Sequence, residues 1–335
     1  MKKSLIITTI NDVNDNIRIL AKLSEKIGSE FIIVGDKKSP SKFKIKNGSY
    51  FDIESQEKLD FEIVKNSPYN TYTRKNIGYL IAMKNSSDII IETDDDNMPY
   101  EFYKPFLDLE IETEKVIEKG WVNLYTHFTS KNIWPRGFPI ECVKESFNKS
   151  IKTREEKIKC PIQQSLADLD PDVDALYRLL FELPLTFDVK PSIAIGKGAW
   201  CPFNSQNTAW YKEAFMLMYL PSYCSFRMTD IWRSFITQRI AWEYDWNILF
   251  NSSTMYQERN IHDYMKDFDD EIPGYLNNSK IIKILENLKL SKNIVDIGKN
   301  LINCYEELIK KGFFNLKELD LVKAWVNDVD RFLNK

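Results

Sequence analysis

The sequence predicts an α/β fold: a doubly wound sheet, mixed in strand direction and flanked by helices, followed by a C-terminal helical appendage. Over roughly the first 100 residues, short apolar runs alternate with amphipathic helical patterns. An acidic triplet, Asp94–Asp96, directly follows one of these apolar runs. From Ser279 onward the patterns are helical and strand signals vanish.

Apolar spacing and turn residues set the bounds of the first elements. Apolar residues recur at nearly helical spacing from Ile17 to Ile27, and Gly28 fits the C-cap of that helix. Parallel strands need such a crossover helix between them. The predicted elements are a strand Leu5–Thr9, a helix Asn16–Ile27, strands Phe31–Val34 and Asp60–Val64, a helix Thr73–Lys84, a strand Ser86–Thr93 and a further strand at Trp121–Tyr125.

The rest of the chain is less regular. Residues 144–159 carry mixed charges without an apolar stripe, which is typical of a solvated excursion or a surface helix. The predicted helices beyond them are Thr208–Leu220, Thr229–Glu243, Ile281–Leu288, Ile294–Ile309 and Leu316–Phe332. We therefore predict a sheet domain at 1–274 and a helical appendage at 275–335. The appendage packs on itself or on the first domain, or forms an oligomer interface.

The composition excludes several classes of protein. The chain has 46 basic and 49 acidic residues, and a net charge of -3 argues against nucleic-acid binding driven by bulk charge. No apolar run approaches the roughly 18 residues of a membrane span, and the short N-terminal run predicts a strand, not a signal peptide. Five dispersed cysteines are typical of reduced thiols, so we expect a cytoplasmic protein. Two histidines are too few for a His-rich metal site.

The triplet Asp94–Asp96 stands where a predicted buried strand ends. Ligands of open α/β sheets bind outside the carboxyl ends of the strands. Adjacent carboxylates repel one another and raise each other's pKa unless a positive charge lies among them. Mg²⁺ and Mn²⁺ prefer such oxygen ligands. The triplet is therefore a metal site or, alternatively, a solvated acidic turn.

Two further segments belong to the same edge of the predicted sheet. Asp36 follows the second strand, where its carboxylate could accept hydrogen bonds from a ribose or a base edge, or serve only in a turn. Arg74 and Lys75 open the helix before the triplet. A basic helix start favours anion binding, although the two charges could instead be exposed on a capped helix.

In this order, Asp36, the basic helix start and the triplet resemble the GT-A fold of nucleotide-sugar glycosyltransferases, whose D-x-D motif holds a divalent metal on the donor diphosphate. Longer blocks resemble the STELLO family of glycosyltransferase-like proteins and, more distantly, the reversibly glycosylated polypeptides and UDP-arabinopyranose mutases of plants. These blocks are Gly35–Pro40, Tyr72–Leu80, Trp134–Pro139, Pro171–Arg178 and Pro202–Thr208. Plant members carry a membrane anchor without a counterpart in this chain, so we expect a soluble relative.

The resemblance implies a donor site. Asp94 and Asp96 match the two D positions and would bind Mn²⁺ or Mg²⁺, a Lewis acid for the departing diphosphate. His262 would be a further metal ligand or, alternatively, a surface imidazole. The other residues expected at the nucleotide and its phosphates are Asp36, Lys38, Arg74, Lys75 and Asp95.

The resemblance also implies how the sugar and the acceptor are held. Asp230 begins a helix where inverting GT-A enzymes carry the general base, unless it is a plain N-cap. Arg136 aligns with an arginine block associated with self-glycosylation in the mutases. Its guanidinium suits a diphosphate or a sugar acid, or a structural role in a turn. The residues that would bind sugar hydroxyls, or instead cap a helix and satisfy a loop, are Asp172, Asp174, Asn204, Gln206 and Asn207.

The residues and the resemblance together predict a metal-dependent GT-A glycosyltransferase. It would transfer a sugar from a nucleotide-diphosphate sugar, UDP-linked, to a hydroxyl of a glycan or surface polysaccharide precursor. Two alternatives stay open. A UDP-sugar mutase would interconvert ring forms of the sugar on its nucleotide, and a non-catalytic scaffold would assist a partner enzyme.

Overall fold

A mixed sheet of eleven strands forms the centre of the fold. The computed structural model describes residues 1–258 and 263–333. The strands are β1 (Lys3–Thr8), β2 (Ser29–Val34), β3 (Ser49–Phe51), β4 (Ile89–Thr93), β5 (Asn97–Pro99), β6 (Glu110–Val116), β7 (Gly120–Trp121), β8 (Thr153–Lys159), β9 (Ile162–Leu169), β10 (Ile193–Ile195), β11 (Ala199–Trp200), β12 (Asn207–Tyr211) and β13 (Ile248–Gln257). Their order in the sheet is β3-β2-β1-β4-β12-β9-β13-β10-β6-β8, with β5 paired to β13, while β7 and β11 form a separate pair.

Helices cover both faces of this sheet. They are α1 (Asp15–Ile27), α2 (Ile53–Glu57), α3 (Lys75–Lys84), α4 (Ile140–Ser146), α5 (Ala175–Leu180), α6 (Thr229–Ala241), α7 (Tyr264–Glu286), α8 (Ile297–Lys310) and α9 (Lys317–Leu333). Side chains alternate along a strand. In β1, Leu5 and Ile7 therefore pack with α1, and Ile6 packs in the cluster that contains Ile77 of α3. The predicted α/β class, with its mixed sheet flanked by helices, is confirmed.

The first βαβ unit follows the prediction closely. The side chain of Asn14 caps α1 by accepting a hydrogen bond from the Ile17 amide. Gly28 ends the helix in the left-handed conformation, with φ of 63°. Strands β1 and β2 are parallel neighbours, as a crossover helix requires.

The third strand lies at Ser49–Phe51, and the prediction of a strand at Asp60–Val64 was wrong. The latter segment leads into a 3₁₀ turn at Ile63–Lys65. Its alternating apolar residues are buried for another reason: Phe61 packs edge-on against Phe332 of α9. The alternation of apolar residues in this segment therefore results from packing against a helix and not from a pleated strand.

A strand also replaces the helix that was predicted at Thr208–Leu220. This segment begins with β12, which pairs antiparallel with both β4 and β9, and continues as a 3₁₀ helix at Lys212–Met218. All five residues of β12 are buried, so the strand has no polar face to reveal its two-residue period. The strand predicted at Trp121–Tyr125 is likewise reduced to the two residues of β7, before a 3₁₀ turn at Leu124–His127.

Residues 144–159 are not a solvated excursion. They include the end of α4 and the whole of β8, an edge strand that pairs only with β6. The charges of β8 are explained by its position, because edge strands carry charged side chains that discourage pairing with another chain.

The C-terminal region is helical, as predicted. Helix α9 packs on α3 and α8, and Trp325 lies in the same apolar cluster as Tyr79 of α3. Helix α7 continues through position 274, where we predicted a domain boundary. Within the described ranges, no helix has the length and apolar character of a membrane span.

Candidate functional site

A cavity of about 510 Å³ opens at one edge of the sheet. Strands β1, β2, β4, β9 and β13 run in the same direction, so their carboxyl ends meet at this edge together with the start of β12. The predicted site residues that line the cavity are Asp36, Lys38, Arg74, Asp94, Asp95, Asp96, Arg136, Asp172, Gln206 and Asp230.

The order of the strands places the site residues along the cavity, with Asp36 at one end, the acidic triplet in the middle and Asp172 at the other end. Asp36 follows β2, the acidic triplet follows β4, and Asp172 lies beyond β9. Four strand spacings separate β2 from β9, which is roughly 19 Å at about 4.8 Å per spacing. We call the Asp36 side the nucleotide end and the Asp172 side the sugar end.

The three carboxylates of the triplet have different partners. Asp95 accepts hydrogen bonds from the Thr9 hydroxyl and the Asn11 amide, which join it to the end of β1. Asp94 accepts from Lys75 Nζ at 2.8 Å through Oδ1 alone. Asp96 accepts from Gln257 through Oδ2, while its Oδ1 is buried without a partner. Burial, and then the charge of Asp94, raise the pKa of Asp96 to about 7.

The triplet fits a divalent cation that is bound by one or two of its carboxylates and by the oxygens of a phosphate. Among the residues described, no group of three or more His, Cys, Asp or Glu side chains is arranged to hold a metal, and the predicted ligand His262 lies outside those residues. Mg²⁺ in phosphate sites, however, often takes only one or two carboxylates and completes its shell with substrate oxygens and water. Asp96 offers an unpartnered buried oxygen, and Lys75 binds only one oxygen of Asp94.

Arg74 is the main charge at the nucleotide end. Its Nε donates to Gln56, and its Nη1 donates to the carbonyls of Ser67 and Pro68. Its Nη2 is buried without a hydrogen-bond partner. Asp36 stands nearby and accepts the Thr71 amide at 2.9 Å. An arginine with an unused donor at a cavity wall suits an anionic ligand.

Lys75 does not line the cavity with Arg74, although we predicted both at the phosphates. Its ammonium is fully buried, and it donates to the Thr93 carbonyl at 2.9 Å and to Asp94. Lys75 therefore holds the first carboxylate of the triplet. This is the positive charge that adjacent carboxylates require.

At the sugar end, Arg136 binds two carboxylates at once. Its Nε and Nη2 donate to Asp172 at 2.7 and 2.9 Å, and its Nη1 and Nη2 donate to Asp230 at 2.9 Å each. The remaining Nη1 hydrogen reaches the carbonyl of Arg227. All five N–H groups are therefore used. Burial acts to raise the pKa of Asp230, but Arg136 outweighs it and lowers that pKa to about 2.

Three of the predicted sugar-binding residues do not line the cavity. Asp174 caps α5 by accepting the Tyr177 amide and also binds Trp134 Nε1, so it is the helix cap and Asp172 is the residue at the cavity. Asn204 donates to Asp172 at 2.8 Å. Asn207 lies in β12 and donates to the Leu166 carbonyl and Thr254. These two asparagines do not face a ligand, because their side-chain amides donate hydrogen bonds to other groups of the protein.

Some cavity residues were missed. Thr9 and Asn11 follow β1, and Gln257 ends β13, so the strand-end argument that selected Asp36 could have found them. Phe226 and Arg227 also line the cavity, but they lie in a 3₁₀ turn that gave no signal in the sequence.

Comparisons with known proteins were made over the whole chain. A family model described as STELLO glycosyltransferases matches residues 227–334. Two relatives from Arabidopsis thaliana, "Probable glycosyltransferase STELLO1" and "Probable glycosyltransferase STELLO2", are each 24% identical to the chain and cover 98% of it. The chain spans 44% of the length of these relatives.

The two kinds of match complement each other. The family model covers α6 to α9, a region that includes the C-terminal helices. The relatives align from the sheet to these helices. The matches confirm the resemblance predicted from the motifs: the chain is similar to the STELLO glycosyltransferases over nearly its whole length.

Proposed function

We propose that the protein is a metal-dependent glycosyltransferase that uses a nucleotide-diphosphate sugar, UDP-linked, and transfers the sugar to a hydroxyl of a glycan. The single observation that carries the proposal is the carboxyl oxygen Oδ1 of Asp96. It is buried and unpartnered in a cavity where Asp94 and Asp95 are its neighbours in sequence. Leaving a buried carboxyl oxygen without a partner is costly, and a bound cation would supply that partner.

The charged residues along the cavity are complementary to the groups of a nucleotide-diphosphate sugar and its metal ion. Arg74 and the exposed Lys38 have no carboxylate within ion-pair distance in the described part of the chain, and both are at the nucleotide end. They would meet the nucleotide and its phosphates. Asp94 and Asp96 would hold Mn²⁺ or Mg²⁺, which when bound would stabilise the negative charge of the leaving diphosphate.

At the sugar end, each arginine that lines the cavity within the described part of the chain already has a carboxylate partner. Arg136 binds Asp172 and Asp230, Arg178 binds Asp170, and Arg227 binds Glu271. We therefore assign to Arg136 the positioning of Asp172 and Asp230, and no longer the binding of a phosphate or a sugar acid. The carboxyl oxygens that it holds in place would accept hydrogen bonds from sugar hydroxyls.

Asp230 stays our candidate for the base that accepts the proton of the acceptor hydroxyl. Its lowered pKa, about 2, keeps it ionised at neutral pH, as a base must be. A base is most effective when its pKa is near the working pH, so Asp230 would be a weak one while Arg136 is bound to it.

Metal and nucleotide binding test the proposal. We expect UDP-sugars to raise the melting temperature of the wild-type protein when Mn²⁺ or Mg²⁺ is present. Binding at about 100 times Kd adds on the order of 2.7 kcal/mol to the free energy of unfolding. Asp96→Asn should abolish the metal-dependent part of this shift, because it removes a charged ligand without changing the shape of the side chain. Thermal-shift and calorimetric titrations measure both effects.

Asp108→Asn, an exposed carboxylate away from the cavity, is the control and should bind like the wild type. Equal nucleotide binding by Asp96→Asn, or by the wild type with all divalent metal chelated, would exclude the metal role. Incubation with UDP-sugars without an acceptor identifies the reaction. Slow release of free sugar and UDP supports a transferase, whereas a new nucleotide sugar would support the mutase alternative.

A further inference from the structure

Helix α9 carries two buried carboxylates that bind backbone amides of distant loops. Glu318, in its first turn, accepts the amides of Ser222 and Tyr223, at 3.1 and 2.6 Å, and the hydroxyl of Tyr219. No cation pairs with Glu318 in the described ranges. Its acceptor capacity is therefore committed to the loop at 219–223, and an amide bonded to a buried carboxylate is held firmly.

The second carboxylate lies ten residues along the same helix. Both oxygens of Asp328 accept backbone amides, those of Glu62 and Ile63, at 2.9 Å each. These residues begin the loop that ends at Pro68. The Ile63 carbonyl in turn accepts the amide of Ser67. Asp328 thus fixes the first turn of this loop.

Both loops continue to the surroundings of Arg74. From the 62–68 loop, the carbonyls of Ser67 and Pro68 accept hydrogen bonds from Arg74 Nη1. From the 219–223 loop, Ser222 shares a hydrogen bond of 2.8 Å with Thr73, the residue before Arg74. The backbone of Leu220 exchanges two hydrogen bonds with the side chain of Asn76, which is two residues after Arg74.

Arg74 itself is unlike the other arginines of the cavity. Its guanidinium has no carboxylate within ion-pair distance among the residues described, whereas Arg136, Arg178 and Arg227 each have one. Its Nη2 is a buried donor without a hydrogen-bond partner, as are Arg178 Nε and Arg227 Nη2. Two neutral carbonyls of the 62–68 loop bind its Nη1, and the Gln56 side chain of α2 binds its Nε. The position of the guanidinium therefore depends on the 62–68 loop, while the 219–223 loop holds the neighbouring residues Thr73 and Asn76.

We propose that α9 is part of the nucleotide site: Glu318 and Asp328 are positioning residues that, through the two loops, aim the free donor of Arg74 at the phosphates of the nucleotide. This inference rests on the proposed function, because it takes the ligand of Arg74 to be a nucleotide phosphate. It gives the C-terminal helices a role in binding, whereas the sequence predicted only that they pack on themselves or on the first domain, or form an oligomer interface.

A double-mutant cycle on the full chain tests the route through Arg74. Glu318→Gln should weaken the binding of UDP with Mg²⁺ by about tenfold, measured by calorimetry. The NH₂ group of the glutamine is a donor and would face the donor N–H groups of the loop. In an Arg74→Gln background the same change should alter binding by less than about twofold. Asp328→Asn should follow the same pattern. Asp320→Asn, an exposed carboxylate of the same helix, is the matched control and should leave binding unchanged.

Equal losses in both backgrounds, or no loss in either, would overturn the proposal. Hydrogen exchange gives a readout that does not depend on the nucleotide. Residues 62–76 and 219–227 should exchange faster in Glu318→Gln than in the wild type and not in Asp320→Asn, and unchanged exchange would also overturn it. If the wild type binds no UDP, the proposed function fails, and the exchange rates alone then decide whether α9 positions these loops.

Discussion

At the scale of single residues, Arg136 is a cavity side chain whose donors are all used within the protein. The residue is 5% exposed, and all donors of its guanidinium are used by Asp172, Asp230 and a carbonyl. Only a planar group with five donors can bind two carboxylates in this way, and lysine cannot reproduce it. The two carboxylates would repel each other if the guanidinium were absent.

We expect Arg136→Lys to lower the free energy of unfolding by roughly 3 kcal/mol, because it disrupts a buried ion pair. Nucleotide affinity in the folded fraction should change by less than about threefold, since the guanidinium is saturated without ligand. Urea unfolding and calorimetry measure the two quantities. Arg154→Lys, which changes an exposed arginine of β8, should affect neither. A stable Arg136→Lys variant that no longer binds nucleotide would instead assign Arg136 to the phosphates.

Asp174 makes stability depend on pH. Burial, and then the charge of Glu271, raise its pKa to about 7, so the folded protein holds the proton more tightly than the unfolded chain does. This contribution is complete below the usual Asp pKa of about 3.9 and is lost as pH rises through 7. Asp174→Asn resembles the protonated form and should remove the effect.

The measurement is the melting temperature between pH 5 and pH 8. The wild type should lose about 2.6 kcal/mol of unfolding free energy relative to Asp174→Asn between pH 5 and pH 8. This is the part of the full effect, about 4 kcal/mol at 1.36 kcal/mol per pKa unit, that falls within this pH range. Asp320→Asn, which is exposed, should follow the wild type at every pH. A constant difference between the wild type and Asp174→Asn across this range would mean that Asp174 is ionised throughout.

Site residues at strand ends could be predicted, because the position follows from local pattern alone. Asp36 and the triplet were found in this way, and all line the cavity. Partners could not be predicted. Arg136 meets Asp172 and Asp230 at separations of 36 and 94 residues, and only the fold decides such pairs. For the same reason, the sequence could not tell that Lys75 faces Asp94 and Arg74 faces the cavity.

At the scale of elements, one buried ion pair joins the strand of the acidic triplet to the helix of Asp230. Glu92 of β4 binds Arg233 of α6 through both oxygens, at 2.8 and 3.0 Å, and also accepts hydrogen bonds from Trp210 and Tyr79. Both charged residues are almost fully buried. The middle of the cavity is therefore held at a fixed distance from its sugar end.

We expect Arg233→Met to cost about 3–5 kcal/mol of unfolding free energy, because it leaves Glu92 as an uncompensated buried charge. The double variant Glu92→Gln/Arg233→Met should be more stable than Arg233→Met by at least about 1 kcal/mol, since it removes that charge and keeps an acceptor for Trp210 and Tyr79. Urea unfolding measures both. Arg18→Met breaks an exposed pair with Asp15 and should cost under about 1 kcal/mol. Additive losses in the double variant would contradict this account.

Helices with one apolar face were the easiest elements to predict. Helices α1, α8 and α9 each bury one stripe, and their positions agree with the prediction. Strand β12 could not be predicted, because a strand buried on both faces reads like a buried helix. Strand β8 was not predicted because it lies at the sheet edge, where its many charged residues hide the strand pattern.

At the scale of the whole molecule, the sheet and the C-terminal helices share one apolar core. The cluster that contains Ile90 of β4 and Leu80 of α3 also contains Tyr305 of α8 and Trp325 of α9. The matched family model ends at residue 334, so these helices belong to what the family shares. The sequence revealed that the helices exist but not where they pack, because their stripes fit any apolar partner.

The contacts of α9 also have a consequence for the order in which the chain is made. Asp36 and Arg74 leave the ribosome early, yet the amides of the loops around Arg74 gain their carboxylate acceptors, Glu318 and Asp328, only when the last helix has emerged. Domains fold as their segments become available during synthesis. The end of the cavity that is translated first is therefore the end whose loops are completed last. Under the proposed function, a nascent chain would not bind nucleotide fully until α9 has been made.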